Sequence, residues 1–266
     1  MPDSTIPQNQ STWQGEAYQA WVERFGPPSQ AAADLARDPR ARLVPLIDHL
    51  GEVAGRRVAN LMGSSGIKAV ALALLGARVT VIDYGEGNAR YARELAAAAG
   101  VELRYLVADV LQLPAGEPLG TFDLVFAELG IVHYFTDLRP FAEAVYGLLA
   151  PGGRFALRDF HPVSTKLLSF RGSTAKVRKY KVSGDYFDTA LEEREPPYAK
   201  FLPPDRARQA GKVLWRKWTL GEVVTAVATS GLQVRSLTEE PNLSSEVFDR
   251  GIPKTFTLVA DKPLPV

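Results

Sequence analysis

The chain has 266 residues, 46% of them hydrophobic and 23% charged, with 31 Lys plus Arg against 30 Asp plus Glu. That size suits one α/β domain with additions, and the balanced charge gives no long-range pull on a polyanion, which argues against a dedicated DNA or RNA binder. Cysteine is absent and the only histidines are His49, His133 and His161, so disulfides and thiolate chemistry are excluded and a metal site is not expected. The polar N-terminus has no apolar run of the signal-peptide kind, and no window approaches the roughly 18 apolar residues of a membrane span, so the expected location is cytoplasmic, with no membrane partner.

Residues 1–11 are polar and proline-containing and read as a disordered tail. A helical cap is expected over 12–54. "WQGEAYQAWVERFG" spaces Trp13, Ala17, Tyr18, Trp21, Val22 and Phe25 at helical intervals. A second helix covers Gln30 to Leu35, and a third follows Pro39 through "RARLVPLIDHLG".

From residue 55 onward strands alternate with helices. "RRVANLM" reads as a strand and "GIKAVALALLGA" as a helix. The strand "RVTVIDY" is followed by the helix "NARYARELAAAAG", which Gly100 closes. "VELRYLVADV" and "FDLVFAELG" are further strands, "RPFAEAVYGLLAPGG" is a helix, and "RFALRDF" is the fifth strand. This alternation predicts right-handed crossovers and a parallel sheet covered on both faces. It lapses over 164–214, a stretch too long for an inert loop and therefore either a functional insertion, such as a lid over a ligand pocket, or partly mobile. Thr219 and Glu222 fit a capping box for the last helix, and "LQVRSLTEE" and "KTFTLVADK" are the final strands.

In such a sheet a ligand binds beyond the carboxyl ends of the strands, so the strand tips hold the candidates. The first tip is "NLMGSSGIKA", where Gly63 and Gly66 allow close backbone approach and Ser64 and Ser65 bring hydroxyls. It is either a ligand loop or a plain turn. About twenty residues on, Asp83 can accept both hydroxyls of a ribose, or else cap the next helix. Tyr84 and Asn88 follow it in the candidate set. Asp109, with Val110 beside it, suits the amine and ring of an adenine, or else a simple turn. Glu128 and Leu129 close the fourth strand, and His133 and Tyr134 follow. Asp159, Phe160 and His161 end the fifth.

Taken together, the loop, the two acids, "FDLVFAELG" and "LLAPGGRFALRDF" resemble the class I S-adenosylmethionine-dependent methyltransferases of the small-molecule type, over residues from about 55 to 159. The resemblance implies a Rossmann-like, doubly wound, seven-stranded sheet in the order 3-2-1-4-5-7-6 with the last strand antiparallel, extending over 55–266. It implies S-adenosyl-L-methionine as cofactor and methyl transfer to a small-molecule acceptor. Asp83 matches the family's ribose acid and Asp109 its adenine acid. The first loop departs from the family: Asn60 stands for the usual acid, Met62 and Ser64 stand at two glycine positions, and only Gly66 coincides with a family glycine. Tyr18 on the cap is placed near the methionine portion of the cofactor.

For catalysis, His161 or His133 could serve as a base, since an unperturbed imidazole titrates near neutrality, or each could be a structural histidine. Trp13, Tyr134, Tyr186, Phe187 and Trp215 are the candidates for acceptor contact, with packing in a small satellite core as their alternative role. "EPPY", Glu195 to Tyr198, has the look of a base-methylating signature, but it lies in the insertion rather than after the fourth strand. Two other functions stay open. One is a cofactor-binding protein of the same fold with a regulatory role; the other is an NAD-dependent oxidoreductase, which would need the full Gly-x-Gly-x-x-Gly that is missing here. A homodimer is compatible with the sequence.

Overall fold

Apolar side chains alternate along the central strands, and the two sets feed two separate cores. In a computed structural model, Val58, Val79, Val81, Leu124, Phe126 and Ala156 face one core, while Ala59, Leu61, Ile82, Val125, Ala127, Phe155 and Leu157 face the other. A sheet buried on both faces needs helices on both, and the chain supplies them. The structure describes residues 9, 11–13, 15–114, 119–171, 179–241 and 251–265.

The central sheet has seven strands: β1 (Arg57–Leu61), β2 (Arg78–Asp83), β3 (Arg104–Val107), β4 (Phe122–Glu128), β5 (Leu149–Phe160), β10 (Gln233–Glu240) and β11 (Thr255–Asp261). Their spatial order is β3-β2-β1-β4-β5-β11-β10. All pairings are parallel except those of β11, which runs antiparallel to both β5 and β10. This is the expected doubly wound order with its reversed last strand. The switch point lies between β1 and β4, so the tips of β1, β2 and β4 open onto one crevice.

The first core is covered by α1 (Ala17–Phe25), α2 (Pro28–Arg37), α3 (Leu46–Leu50), α4 (Ile67–Leu74) and α5 (Glu86–Ala99). On the other face lie α6 (Arg139–Leu148) and α8 (Leu220–Thr229). Three expected boundaries shift. The helix expected through "RARLVPLIDHLG" is a 3₁₀ turn, Arg40–Leu43, and then α3, because Pro45 cannot sit inside a continuous helix. Strand β3 ends at Val107, which leaves Asp109 in the following turn. Strand β5 begins at Leu149, so the Pro-Gly-Gly stretch belongs to the strand and not to the helix end.

The insertion holds regular structure. It contains a hairpin of β6 (Leu168–Arg171) with β7 (Lys179–Val182), a two-stranded sheet of β8 (Leu191–Arg194) with β9 (Val213–Arg216), and the short helix α7 (Pro204–Ala207). Buried Lys166 pins it, its Nζ donating to the carbonyls of Asp188 at 2.5 Å and Lys217 at 2.9 Å. Most of the expected tail, residues 1–8 and 10, lies outside the described residues. Asn9, however, is buried and fixed: its amide bonds the backbone of Leu214 in both directions, at 2.8 and 3.3 Å. No helix among the described residues is long and apolar enough to cross a membrane.

Thr219 caps α8 as the sequence indicates. Its hydroxyl accepts from the Glu222 N–H at 3.1 Å, and the Glu222 carboxylate accepts from the Thr219 N–H at 2.8 Å. Thr219→Ala should cost about 1 kcal/mol of stability, seen as a lower urea midpoint at unchanged slope.

Candidate active site

The loop after β1 answers the question its sequence raises. Met62 and Ser64, at positions where the family has glycine, take the left-handed conformation that glycine would, with φ of 50° and 52°. Each costs about 1 kcal/mol or more in a residue with a side chain. The surroundings hold them there: the Ser64 N–H donates to Asp83 Oδ2 at 3.0 Å, and the Tyr105 hydroxyl donates to the Ser64 carbonyl at 2.9 Å. The two glycines are needed for packing. A Cβ on Gly66, at φ 73°, would sit 2.5 Å from the Ala92 Cβ, and one on Gly63 would meet Val81 at 2.8 Å.

Asp83 is buried at the tip of β2. Besides the Ser64 N–H, it accepts from the Gly85 N–H at 2.8 Å and the Asn88 amide at 3.2 Å. Burial pushes its carboxyl above the ordinary range, although these donors pull the other way. Asn88 in turn accepts from the Trp21 indole at 2.8 Å. Asn88 therefore holds the acid in place and ties it to α1.

A narrow recess beside Asp83 is lined by Asn9, Met62, Tyr84, Asp109, Val110 and Tyr134. Asp109 Oδ1 accepts from the Leu111 N–H at 2.9 Å, whereas its Oδ2 is buried with no hydrogen-bond partner among the described residues. A buried acceptor without a donor is costly unless something from outside supplies one. The recess is therefore suited to a flat apolar group that carries a donor.

Met62, Tyr84 and Tyr134 also line a larger cleft of about 460 Å³, so the two spaces are adjacent. Its floor is Ser64, Asp83, Glu128, Leu129, Gly130 and Phe160, and its walls are Trp13, Trp21 and Arg24 from the N-terminal segment and Arg194, Glu195, Pro197, Lys200 and Trp215 from the insertion. The two walls are joined. Thr12 Oγ1 donates to the Lys212 carbonyl at 2.8 Å, and the Tyr198 hydroxyl donates to the Thr12 carbonyl at 2.7 Å. Trp13 packs edge-on to both Tyr134 and Tyr198. "EPPY" does not follow β4, yet its Glu195 and Pro197 reach the cleft from the insertion.

Glu128, at the tip of β4, is buried between Lys68 and Arg158; the Arg158 Nη1 lies 3.2 Å from its Oε1. Arg158 is itself buried, and its other nitrogens reach Glu240 Oε2 at 2.8 Å and Thr255 Oγ1 at 3.2 Å. The neighbouring Asp159 accepts from four N–H groups, those of Gly130, Ile131, Val132 and Phe160, at 2.6–3.1 Å. It thereby shapes the turn after β4, where Leu129 and Gly130 are left-handed at φ 60° and 86°. Sequence reading missed Lys68 and Arg158 altogether. The available signal was a cation inside an apolar stretch: Lys68 in "GIKAVALALL", and Arg158 between Leu157 and the strand-end acid in "RFALRDF".

Several expected contacts lie elsewhere. Tyr18 does not line the cleft; its hydroxyl donates to Glu94 at 2.5 Å and its ring packs on Tyr91, so it fastens α1 to α5. His161 does not line it either. Its Nε2 is 2.6 Å from Glu239 Oε1 and its Nδ1 accepts from the Val163 N–H at 3.1 Å, so both nitrogens are engaged where the insertion leaves β5. Tyr186 accepts from the Leu220 N–H at 3.1 Å at the start of α8, and Phe187 is exposed. Gly63, Ser65, Gly66 and Asn88 support the lining without joining it. Buried His133 lies behind the wall, stacked on Trp215 at 4.7 Å; its Nδ1 faces the Arg216 carbonyl at 2.8 Å and its Nε2 has no partner among the described residues.

Residues 62–157 match the family model of a methyltransferase domain. The crystal structure of an S-adenosylmethionine-dependent methyltransferase from Mesorhizobium loti superposes with a TM-score of 0.62, covering 86% of this chain and 99% of that one at 22% identity, a likeness of fold. The chain thus carries a methyltransferase domain over residues 62–157, on the fold of the S-adenosylmethionine-dependent methyltransferases. Its sequence relatives include a demethylmenaquinone methyltransferase of Thermus thermophilus, 36% identical over 118 residues, which are 44% of this chain and 52% of that protein. A ubiquinone biosynthesis O-methyltransferase of a Caulobacter species is 35% identical over 179 residues, 67% of this chain and 63% of that protein. The chain spans about half the length of the first of these relatives. The family model thus matches the core of the sheet, and the N-terminal segment and the insertion lie outside it.

The Arg158 network yields a pH-dependent prediction. The Glu240 carboxyl is held below its ordinary range: burial opposes this, but the bonds from Thr255 and Arg158 outweigh it. Its contribution to stability is complete above the ordinary carboxyl range and is lost as pH falls through the lowered folded value. Arg158→Met, which takes the cation from between Glu128 and Glu240 while Glu128 keeps Lys68 and Glu240 keeps Thr255, should cost about 3 kcal/mol near neutral pH. The deficit relative to wild type should shrink between about pH 5 and pH 3 in urea titrations.

Proposed function

We propose that the protein transfers a methyl group from S-adenosyl-L-methionine to a small-molecule acceptor held in the aromatic cleft. The observation that carries this reading is the unpartnered Asp109 Oδ2 in a narrow apolar recess next to a larger cleft that Asp83 lines. Asp109 would accept from the adenine amine, with Val110, Tyr84 and Met62 against the ring. Asp83 would accept from the ribose hydroxyls, and the loop from Gly63 to Gly66 would border the amino-acid end. The cofactor supplies a sulfonium-bound methyl already activated for displacement.

The chain's own part is alignment and exclusion of water. Trp13, Trp21 and Trp215 wall the cleft, and the bonds between the N-terminal segment and β9 hold those walls together. The relatives named for quinone methylation favour a flat acceptor, and the ring-lined walls suit one. If a histidine assists, it is His133 and not His161. With Nδ1–H donated to the Arg216 carbonyl, the His133 Nε2 keeps its lone pair, and it would act as a base only where Trp215 moves aside to bring the acceptor within hydrogen-bond reach.

Calorimetry tests the cofactor reading. Wild type should bind S-adenosylmethionine and not NAD, and Asp109→Ala should weaken binding by about 1–3 kcal/mol. Absence of heat with S-adenosylmethionine would end the proposal. In turnover assays His133→Ala should lower kcat with cofactor affinity unchanged, while His161→Ala should lower the melting temperature and spare kcat.

A further inference from the structure

The rim of the cleft carries two cations without a counter-charge. Arg24, on α1, and Lys200, in the 3₁₀ turn Ala199–Phe201, both line it. They rest on one ring: the Arg24 guanidinium is 4.4 Å from the Phe201 centroid and the Lys200 ammonium is 5.0 Å from it. Arg24 also lies 4.7 Å from the Phe25 ring. Neither has a hydrogen bond or ion pair among the described residues.

The other charges lining the cleft are engaged. Arg194 pairs with Glu192 at 2.6 Å, Glu195 with Lys212 at 3.6 Å, Glu128 with Lys68 and Arg158, and Asp83 with its three N–H donors. The local field pushes the two rim cations toward losing their protons: burial lowers both, and after it Arg42 acts on Arg24 and Arg24 acts on Lys200. Two like charges brought together on one ring, at the mouth of a cavity walled by indoles, relieve each other when an anion arrives.

We infer that the acceptor is an aromatic anion, whose flat ring lies among Trp13, Trp21 and Trp215 and whose carboxylate or equivalent oxyanion docks on Arg24 and Lys200. The word acceptor rests on the proposed methyl transfer; the anion site itself does not. A guanidinium offers a carboxylate two parallel N–H donors, and an ammonium beside it adds a third contact, so the pair selects for charge while the indoles select for a ring.

The test uses 8-anilino-1-naphthalenesulfonate and its uncharged counterpart, N-phenyl-1-naphthylamine, titrated by fluorescence into the full chain with and without S-adenosylhomocysteine. Wild type should bind the sulfonate at one site, more tightly than the neutral compound, with affinity that falls as salt rises. The Arg24→Gln/Lys200→Gln double variant should lose about tenfold in sulfonate affinity and bind the neutral compound as wild type does. Both side chains are at the exposed rim, and circular dichroism should show the variant folded as wild type. Equal sulfonate affinity in wild type and variant, no binding of the sulfonate, or tighter binding of the neutral compound would overturn the inference. Calorimetry with S-adenosylhomocysteine on the same samples judges the methyl-transfer reading separately. Charge-dependent dye binding without cofactor binding would keep the anion site and end that reading, and the reverse result would do the opposite.

Discussion

A carboxylate buried at or just beyond the end of a parallel strand must find donors, and the crevice of this protein is organised by how four of them do so. Asp83 takes N–H groups from the first loop and from the start of α5. Asp159 gathers four successive or nearby N–H groups and so fixes the turn after β4. Glu128 takes Lys68 and Arg158. Asp109 is satisfied on one oxygen only. Asp159 and Glu128 thus serve the fold. Asp83 holds the first loop to α5 while lining the cleft, and Asp109 keeps one buried oxygen unpartnered among the described residues, so acids of one type at neighbouring tips differ in what they can still accept.

The sheet was legible because its signals are local. Alternating apolar residues, Gly100 after a run of alanines and the Thr219–Glu222 box each act within a few residues. The acids at the strand tips were legible as a set, for sequence spacing places them at one edge. Their division of labour was not, since it depends on which N–H groups converge from other elements. Tyr18 and His161 illustrate the limit. Each has the right residue type near the right strand or helix, but Glu94 and Glu239 engage them, and nothing in the spacing shows those partners. Lys68 and Arg158 were overlooked for the opposite reason: a charge inside an apolar run has meaning only once its counter-charges on β4 and β10 are in place.

The N-terminal segment and the insertion looked like separate additions, and they form one wall. Asn9 and Thr12 bond the backbone of residues 212–214, about 200 positions away in the chain. Neither piece can take this form alone, because each supplies the other's hydrogen-bond partners and half of the aromatic packing around Trp13. Contacts of such sequence separation are invisible to periodicity, and they are also where a shared catalytic core leaves room to differ from its relatives.

The left-handed Met62 carries a consequence for cofactor selectivity. A glycine at this point would leave only bare backbone between the narrow recess and the larger cleft. Here a flexible thioether side chain stands at the junction and touches both spaces. On the proposed placement of the cofactor, the strained loop would set a movable partition between two ligands. The size of residue 62 would then tune which enlarged methyl-donor analogues are admitted, without altering any charged group.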